Sequence, residues 1–286
     1  MKLYGWLGLL IIFLAEIGLI FENSFAMSYM TPLSWTGYIM FMDALLYKLA
    51  GFSYILKKRR EFLWMLPWSV LVWLLFEAYD LYMNNWYYVG TPDSIPLFWF
   101  SSAWSFSTII PGILLTYQFV KYLGPFDKLR IKKWKLGQKV MKVYVVIGTI
   151  MILIPFAFPM EIAAYLYVFV WSGYVFLLEP INEWLGGKSF LPDLRNGSPV
   201  KLLNLFAAGI ICGLLWEFWN YWAYTKWIYT VPGPLGAGPK YFEMPIVGFL
   251  GFLPFAVEMY SMQNFLMALI GKYSPQLVAE KAVEAG

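Results

Sequence analysis

Trp35-Thr36-Gly37-Tyr38, followed by Asp43, returns later in the chain as Trp171-Ser172-Gly173-Tyr174, followed by Glu179, at the same interval. Phe76-Glu77-Ala78-Tyr79-Asp80 returns in turn as Trp216-Glu217-Phe218-Trp219-Asn220. Each copy then runs on into a Trp-x-Tyr triplet, Trp86-Tyr87-Tyr88 and Trp227-Ile228-Tyr229. The chain therefore reads as two related halves, 1–124 and 140–286, joined by a basic linker at 125–139. Both copies lie in apolar stretches of membrane-crossing length, where an uncompensated charge is expensive, so repeated carboxylates there mark a site between the halves.

Composition places the chain in a bilayer. Of its 286 residues 60% are hydrophobic and only 13% charged, with a mean hydropathy of +0.61, against roughly 25% charged residues in soluble domains. Spans are expected near 3–20, 33–50, 62–83, 95–123, 140–158, 160–185, 200–223 and 245–270. With the N-terminus inside, every Lys and Arg except Lys226 and Lys240 falls on the inner side, as the positive-inside rule requires. The fold class expected is all-α: a polytopic membrane helix bundle of about eight spans. Four spans per half is an even number, so the halves are expected as parallel four-helix repeats about an axis along the membrane normal. The chain is expected in a bacterial or archaeal cytoplasmic membrane with both termini cytoplasmic.

There is no histidine, which removes the commonest haem and zinc ligand and the commonest general base. Cys212 is the only cysteine and lies in an apolar run, so it reads as a core residue. No cofactor and no metal are expected. The net charge of +4 comes from loops between spans, so no nucleic acid is expected as a partner. The linker segment Asp127 to Lys135 reads either as the longest inner loop or as an interfacial segment touching anionic headgroups, with Trp134 as its anchor.

Acid–base chemistry would fall to carboxylates. Glu77 and Asp80 are three apart, as are Glu217 and Asn220, so each pair lies on one helix face. Glu243 precedes the last span and Glu258 lies within it. Glu217, Glu243, Glu258, Glu77 and Asp80 are thus the candidate catalytic groups. Trp216, Trp219, Asn220, Trp227, Tyr229, Trp86 and Tyr88 are the candidate ligand-binding groups, the Trp-x-Tyr triplets lying at the outer interface where amphipathic rings are favoured. Aromatic walls with few acids suit a bulky apolar ligand and could stabilise a carbocation through cation–π attraction. Asp43 and Glu179 read as topological groups near the inner face, within reach of loop lysines. Gly233 to Gly238 reads as an outer turn or flap over the cavity.

The last third of the chain resembles the small, non-flavin membrane lycopene cyclases of carotenoid biosynthesis. The resemblance rests on Trp227-Ile228-Tyr229, a turn, and Met244-Pro245-Ile246 opening an aromatic span that reaches Phe252-Leu253-Pro254-Phe255. That family places carboxylates directly after its Pro-Ile or Pro-Leu pair. Here Val247-Gly248 stands there and the acid, Glu243, precedes the proline. The resemblance implies a helical-repeat scaffold and protonation of a polyene followed by ring closure, with no redox cofactor.

Three functions remain open at this point. One is binding or transformation of an apolar isoprenoid-like lipid in an aromatic, carboxylate-lined cavity toward the outer leaflet. Another is a non-catalytic subunit that packs pigments, quinones or membrane-protein partners. A third is a proton-coupled transporter, against which stands the expectation that no span is broken at matching positions: Pro67 interrupts one half, and Gly213 is the nearest weak point of the other.

Overall fold

A computed structural model describes residues 1–273, so Lys281 and the C-terminus expected inside lie outside the described residues. The first half comprises α1 (Leu3–Ile20), α2 (Ser24–Ser28), α3 (Met30–Ala50), α4 (Arg59–Met83), β1 (Trp86–Val89), α5 (Ile95–Ser107) and α6 (Ile109–Leu123). The second comprises α7 (Gln138–Leu153), α8 (Met160–Ala163), α9 (Tyr167–Trp184), α10 (Leu191–Arg195), α11 (Val200–Trp222), β2 (Lys226–Tyr229), α12 (Gly233–Ala237), β3 (Lys240–Tyr241), β4 (Met244–Pro245) and α13 (Phe252–Tyr273). The protein is an all-α, multi-pass membrane bundle, and among the described residues its only strands form two short ribbons.

Seven helical segments are long and apolar enough to span: 3–20, 59–83, 95–123, 138–157, 160–184, 200–222 and 246–273. The eighth expected span, α3, has 21 residues, about 31 Å of helix and enough to cross a hydrocarbon core of about 30 Å. Its Thr31, Ser34 and Asp43 make it too polar to face lipid, and they are buried instead, with α3 packed among α1, α6 and α11. The helix is tolerated because its neighbours, not hydrocarbon, surround it.

Each half begins with a glycine-to-glycine helix crossing. A Cβ on Gly8 would meet the Gly37 carbonyl, and one on Gly148 would meet the Gly173 carbonyl and the Leu177 backbone. Small residues at both faces let α1 approach α3, and α7 approach α9, to backbone distance, which is how helices associate where lipid removes the hydrophobic drive between them. This explains the glycine of the repeated Trp-x-Gly-Tyr motif.

The halves then exchange partners. From α4 of the first half, the Tyr79 hydroxyl donates to the Ile152 carbonyl at 3.0 Å, and that of Tyr82 to the Phe158 carbonyl at 2.7 Å. From α11 of the second half, Trp219 Nε1 donates to Glu16 at 3.0 Å, and Trp216 packs on Trp35 with ring centroids 4.6 Å apart. The acid in the otherwise apolar α1 is thereby partnered. Tyr117 and Tyr260, six residues after Pro111 and Pro254 respectively, meet ring to ring at 5.8 Å. At the opposite end of the bundle β1 and β2 pair antiparallel, with Trp86 opposite Tyr229 and Tyr88 opposite Trp227. We call these the basic end and the ribbon end.

The last span of each half is broken, and at matching places, contrary to the expectation from Pro67 and Gly213. Helix α4 runs unbroken through Pro67 and α11 through Gly213. The breaks fall instead at Thr108, between α5 and α6, and at Phe252, where a 3₁₀ turn over Ile246–Gly251 gives way to α13. Pro111 and Pro254 are each the third residue of the helix that follows the break. A proline donates no backbone hydrogen bond and crowds the carbonyl four residues back, so it starts a helix readily and interrupts one it lies within. In the first half the Ser69 hydroxyl donates to the Phe106 carbonyl at 2.5 Å and accepts from Ile110 N–H at 3.1 Å, bridging the gap. At the corresponding place on α11 stands Gly209, against which the Phe252 carbonyl packs directly.

Candidate functional site

A cavity of about 450 Å³ opens at the ribbon end, between the halves and beside both helix breaks. Ser105, Phe106 and Ile109 line it at one break, and Gly251, Phe252 and Phe255 at the other. The Phe255 ring stands edge-on to both Trp73, at 5.9 Å, and Trp216, at 5.8 Å, where α4 and α11 meet α13. Between α4 and α5 the cavity reaches the side of the bundle, where the lining residues Leu81 and Trp99 are 87% and 54% exposed.

Glu77 is the acid in the cavity wall. Its Oε1 accepts from the Tyr88 hydroxyl at 2.5 Å, from Trp73 Nε1 at 2.7 Å and from Trp86 Nε1 at 3.3 Å. Tyr88 and Trp86 come from β1, whose alternation points both inward. The triplets were expected at the outer interface and among the ligand-binding groups; pairing into a ribbon puts Trp86, Tyr88, Trp227 and Tyr229 in the cavity wall. Burial, then the charge of Glu77, pushes the Tyr88 hydroxyl well above the ordinary phenol range, so Tyr88 remains a donor.

The second half repeats the arrangement with less access. Tyr229 donates to Glu217 Oε1 at 2.7 Å and itself accepts from Trp227 Nε1 at 2.8 Å. Burial and Glu217 likewise hold the Tyr229 hydroxyl proton well above its usual range. Tyr229, Trp227 and Trp216 line the cavity, but Glu217 lies behind them, fully buried, with Oε2 unpartnered.

The remaining candidates are placed elsewhere. Asp80 accepts from Asn85 N–H at 2.7 Å, and Asn220 exchanges 2.9 Å bonds with both backbone groups of Trp227. These two equivalent residues hold the turn from helix into strand. Trp219 packs against Trp35 and Tyr38, away from the cavity. Glu243 pairs with Lys226 at 2.7 Å, and it is Lys226 that reaches the lining. Glu258 is fully buried one helical turn below Phe255, with neither carboxyl oxygen hydrogen-bonded. Gly233 to Ala237, read as a flap, forms the short helix α12.

Asp43 and Glu179 are neither in the cavity nor paired with lysines. Asp43 accepts from Ser53 at 2.5 Å, Tyr54 N–H at 2.6 Å, Tyr4 at 2.7 Å and Ile55 N–H at 3.3 Å. Glu179 accepts from Ser189 at 2.7 Å, Phe190 N–H at 2.8 Å and Ser261 at 2.7 Å. Each carboxylate fastens the loop that follows its helix, and Ser53 and Ser189 are equivalent in the repeat.

Sequence reasoning missed Ser101, Ser102 and Ser105, which line the cavity from α5. Their spacing puts them on one helix face, and that stripe was the available signal. The site thus combines one accessible acid, hydroxyls on two sides, a lysine and many aromatic rings. Among the described residues no group of acids and cysteine is arranged to hold a metal ion. Comparison with family models, with curated proteins and with solved structures gave no match to this chain.

Proposed function

We propose that the protein binds an elongated apolar lipid of isoprenoid type in the ribbon-end cavity, with Glu77 facing the ligand as the reacting or anchoring acid. The observation that carries this reading is Glu77: a carboxyl held by Tyr88, Trp73 and Trp86 in the wall of an aromatic cavity that reaches the side of the bundle. A carboxyl within a membrane-spanning helix is costly, and one that reaches a cavity marks a functional position. A long apolar molecule can enter sideways past Leu81 and Trp99 and place its polar or reactive end at Glu77.

In the catalytic form of this reading, Glu77 gives its proton to a terminal double bond. The faces of Trp73 and Trp216 stabilise the carbocation through cation–π attraction. Loss of a proton from a neighbouring carbon back to Glu77 closes the cycle without redox change. The test is gentle purification from the native membrane and mass spectrometry of the small molecules retained. A stoichiometric polyene, quinone or prenyl lipid, lost in Glu77→Gln, supports the reading. Protein partners without such a lipid would replace it with the assembly-subunit reading.

The paired breaks at Thr108 and Phe252 favour a second reading, a carrier of such a solute. Discontinuous helices at a repeat interface are where secondary transporters place their sites. Uptake of the identified lipid into proteoliposomes, dependent on a proton gradient, separates carrier from binder or enzyme.

A further inference from the structure

Between Asp127 and Glu161 the chain has no acid, whereas Lys128, Arg130, Lys132, Lys133, Lys135, Lys139 and Lys142 fall in its first half. Residues 125–137 form neither helix nor strand, yet they are fixed to the second half. Ile131 N–H donates to the Gly197 carbonyl at 2.9 Å, Trp134 N–H donates to the Leu194 carbonyl at 3.1 Å, and Leu136 is buried. This pinning leaves Leu129, Ile131 and Trp134 exposed by 47%, 39% and 46%.

Trp134, Lys135, Lys139 and Arg195 line an open groove where the linker enters α7. Arg195 is engaged with Glu183 at 2.5 Å, while Lys132, Lys133, Lys135 and Lys139 take part in no ion pair among the described residues. The span of α7 starts at Gln138, so the groove lies at the depth where hydrocarbon gives way to headgroups. A soluble anion would be served by the lysines alone. Exposed Trp134, Leu129 and Ile131 beside them match a ligand with both a phosphate and acyl chains.

We propose that this groove is a binding site for an anionic phospholipid, its phosphate between Lys135 and Lys139 and its glycerol and upper acyl region against Trp134. Lys132 and Lys133 extend the positive field toward the same headgroup. The site is independent of the cavity at the opposite end of the bundle.

Native mass spectrometry of the full chain in mild detergent tests it, with phosphatidylglycerol and phosphatidylcholine of identical chains as probes and inorganic phosphate as competitor. The expected result is a preference for phosphatidylglycerol of about tenfold or more, reduced to near parity in Lys135→Gln/Lys139→Gln. It is retained in Lys135→Arg/Lys139→Arg and in Lys240→Gln at the ribbon end. Equal retention of the two lipids, or a preference unmoved by the glutamine pair, overturns the proposal. So does loss of preference in the arginine pair, which would trace the effect to folding rather than charge. Displacement by millimolar phosphate would show a site for soluble anions and overturn the lipid assignment.

Discussion

Tyr87 lies opposite Ile228 at the centre of the ribbon that joins the two halves. These are the middle residues of the two Trp-x-Tyr triplets, so the positions that pair are the positions the duplication makes equivalent. The flanking pairs obey the same symmetry: Trp86 faces Tyr229 and Tyr88 faces Trp227, each pair being the image of the other. An isologous contact of this kind needs an axis through its centre. A second pair of equivalent residues, Tyr117 and Tyr260, meets ring to ring at 5.8 Å.

The register can be tested directly. Residues directly opposite in an antiparallel pair have Cβ atoms roughly 4.5–5.5 Å apart, close to disulfide range. Tyr87→Cys/Ile228→Cys should form a disulfide under mild oxidation, detectable as two linked fragments after proteolysis in the linker. The native Cys212 is fully buried and should not interfere. Tyr87→Cys/Thr230→Cys, displaced along the strand, should link poorly. Efficient linkage of the displaced pair alone would disprove the register.

The two equivalent acids should behave differently. Glu77 lines the cavity, whereas Glu217 is screened from it by Tyr229. A glutamine carbonyl can still accept from Tyr88 or Tyr229, so both substitutions should change the unfolding temperature by only a few degrees, in line with about 0.6–2 kcal/mol per membrane hydrogen bond. Ligand retention should fall at least about tenfold in Glu77→Gln, a loss of about 1.4 kcal/mol of binding, and much less in Glu217→Gln. The reverse order in a retention assay would move the reacting acid to the second half.

Asp43 and Glu179 should matter for assembly. Removing a buried carboxylate strands its donors, and each unsatisfied buried group costs about 1–3 kcal/mol. Asp43→Ala strands the Tyr54 and Ile55 amides and the Ser53 and Tyr4 hydroxyls, and should lower thermal stability in detergent by many degrees. Asp43→Asn keeps an acceptor and should lose less. Glu179→Ala should follow the same pattern with Ser189, Phe190 and Ser261. If either alanine variant unfolds at the wild-type temperature, the carboxylate is not the loop fastener.

Particular residues show what was legible before the structure and what was not. Helical segments could be read because apolar length and loop charge are local signals. The repeat could be read because Trp, Gly and Tyr recur at fixed spacing. The ribbon was not legible: four residues from each half pair across more than a hundred positions, and Trp86-Tyr87-Tyr88 alone looks like an interfacial belt. The exchange of α4 and α11 was equally hidden, since duplicated helices carry similar faces and composition does not say which partner each chooses. Glu77, Asp80, Glu217 and Glu243 were all visible as acids near one end of the bundle. That Tyr229 covers Glu217, Lys226 holds Glu243 and Asn85 engages Asp80 depends on tertiary contacts that spacing cannot specify.

Ser69 gives the sharpest test of the broken span. Its hydroxyl donates to the Phe106 carbonyl and accepts from the Ile110 amide, so one side chain satisfies both backbone groups opened by the break. In the hydrocarbon core no bulk water stands ready to replace it. Ser69→Ala should cost about 1–3 kcal/mol for each group left bare, and because Phe106 and Ile109 line the cavity, it should weaken ligand retention together with stability. Gly209, the counterpart on α11, lets the Phe252 carbonyl pack close instead of bonding it. Gly209→Ser therefore should not reproduce the bridge, and should destabilise by crowding Phe252. Thermal unfolding and ligand retention measured on both variants check the pair. A Ser69→Ala variant indistinguishable from wild type in both would mean that the break is held open by Pro111 and Thr108 alone.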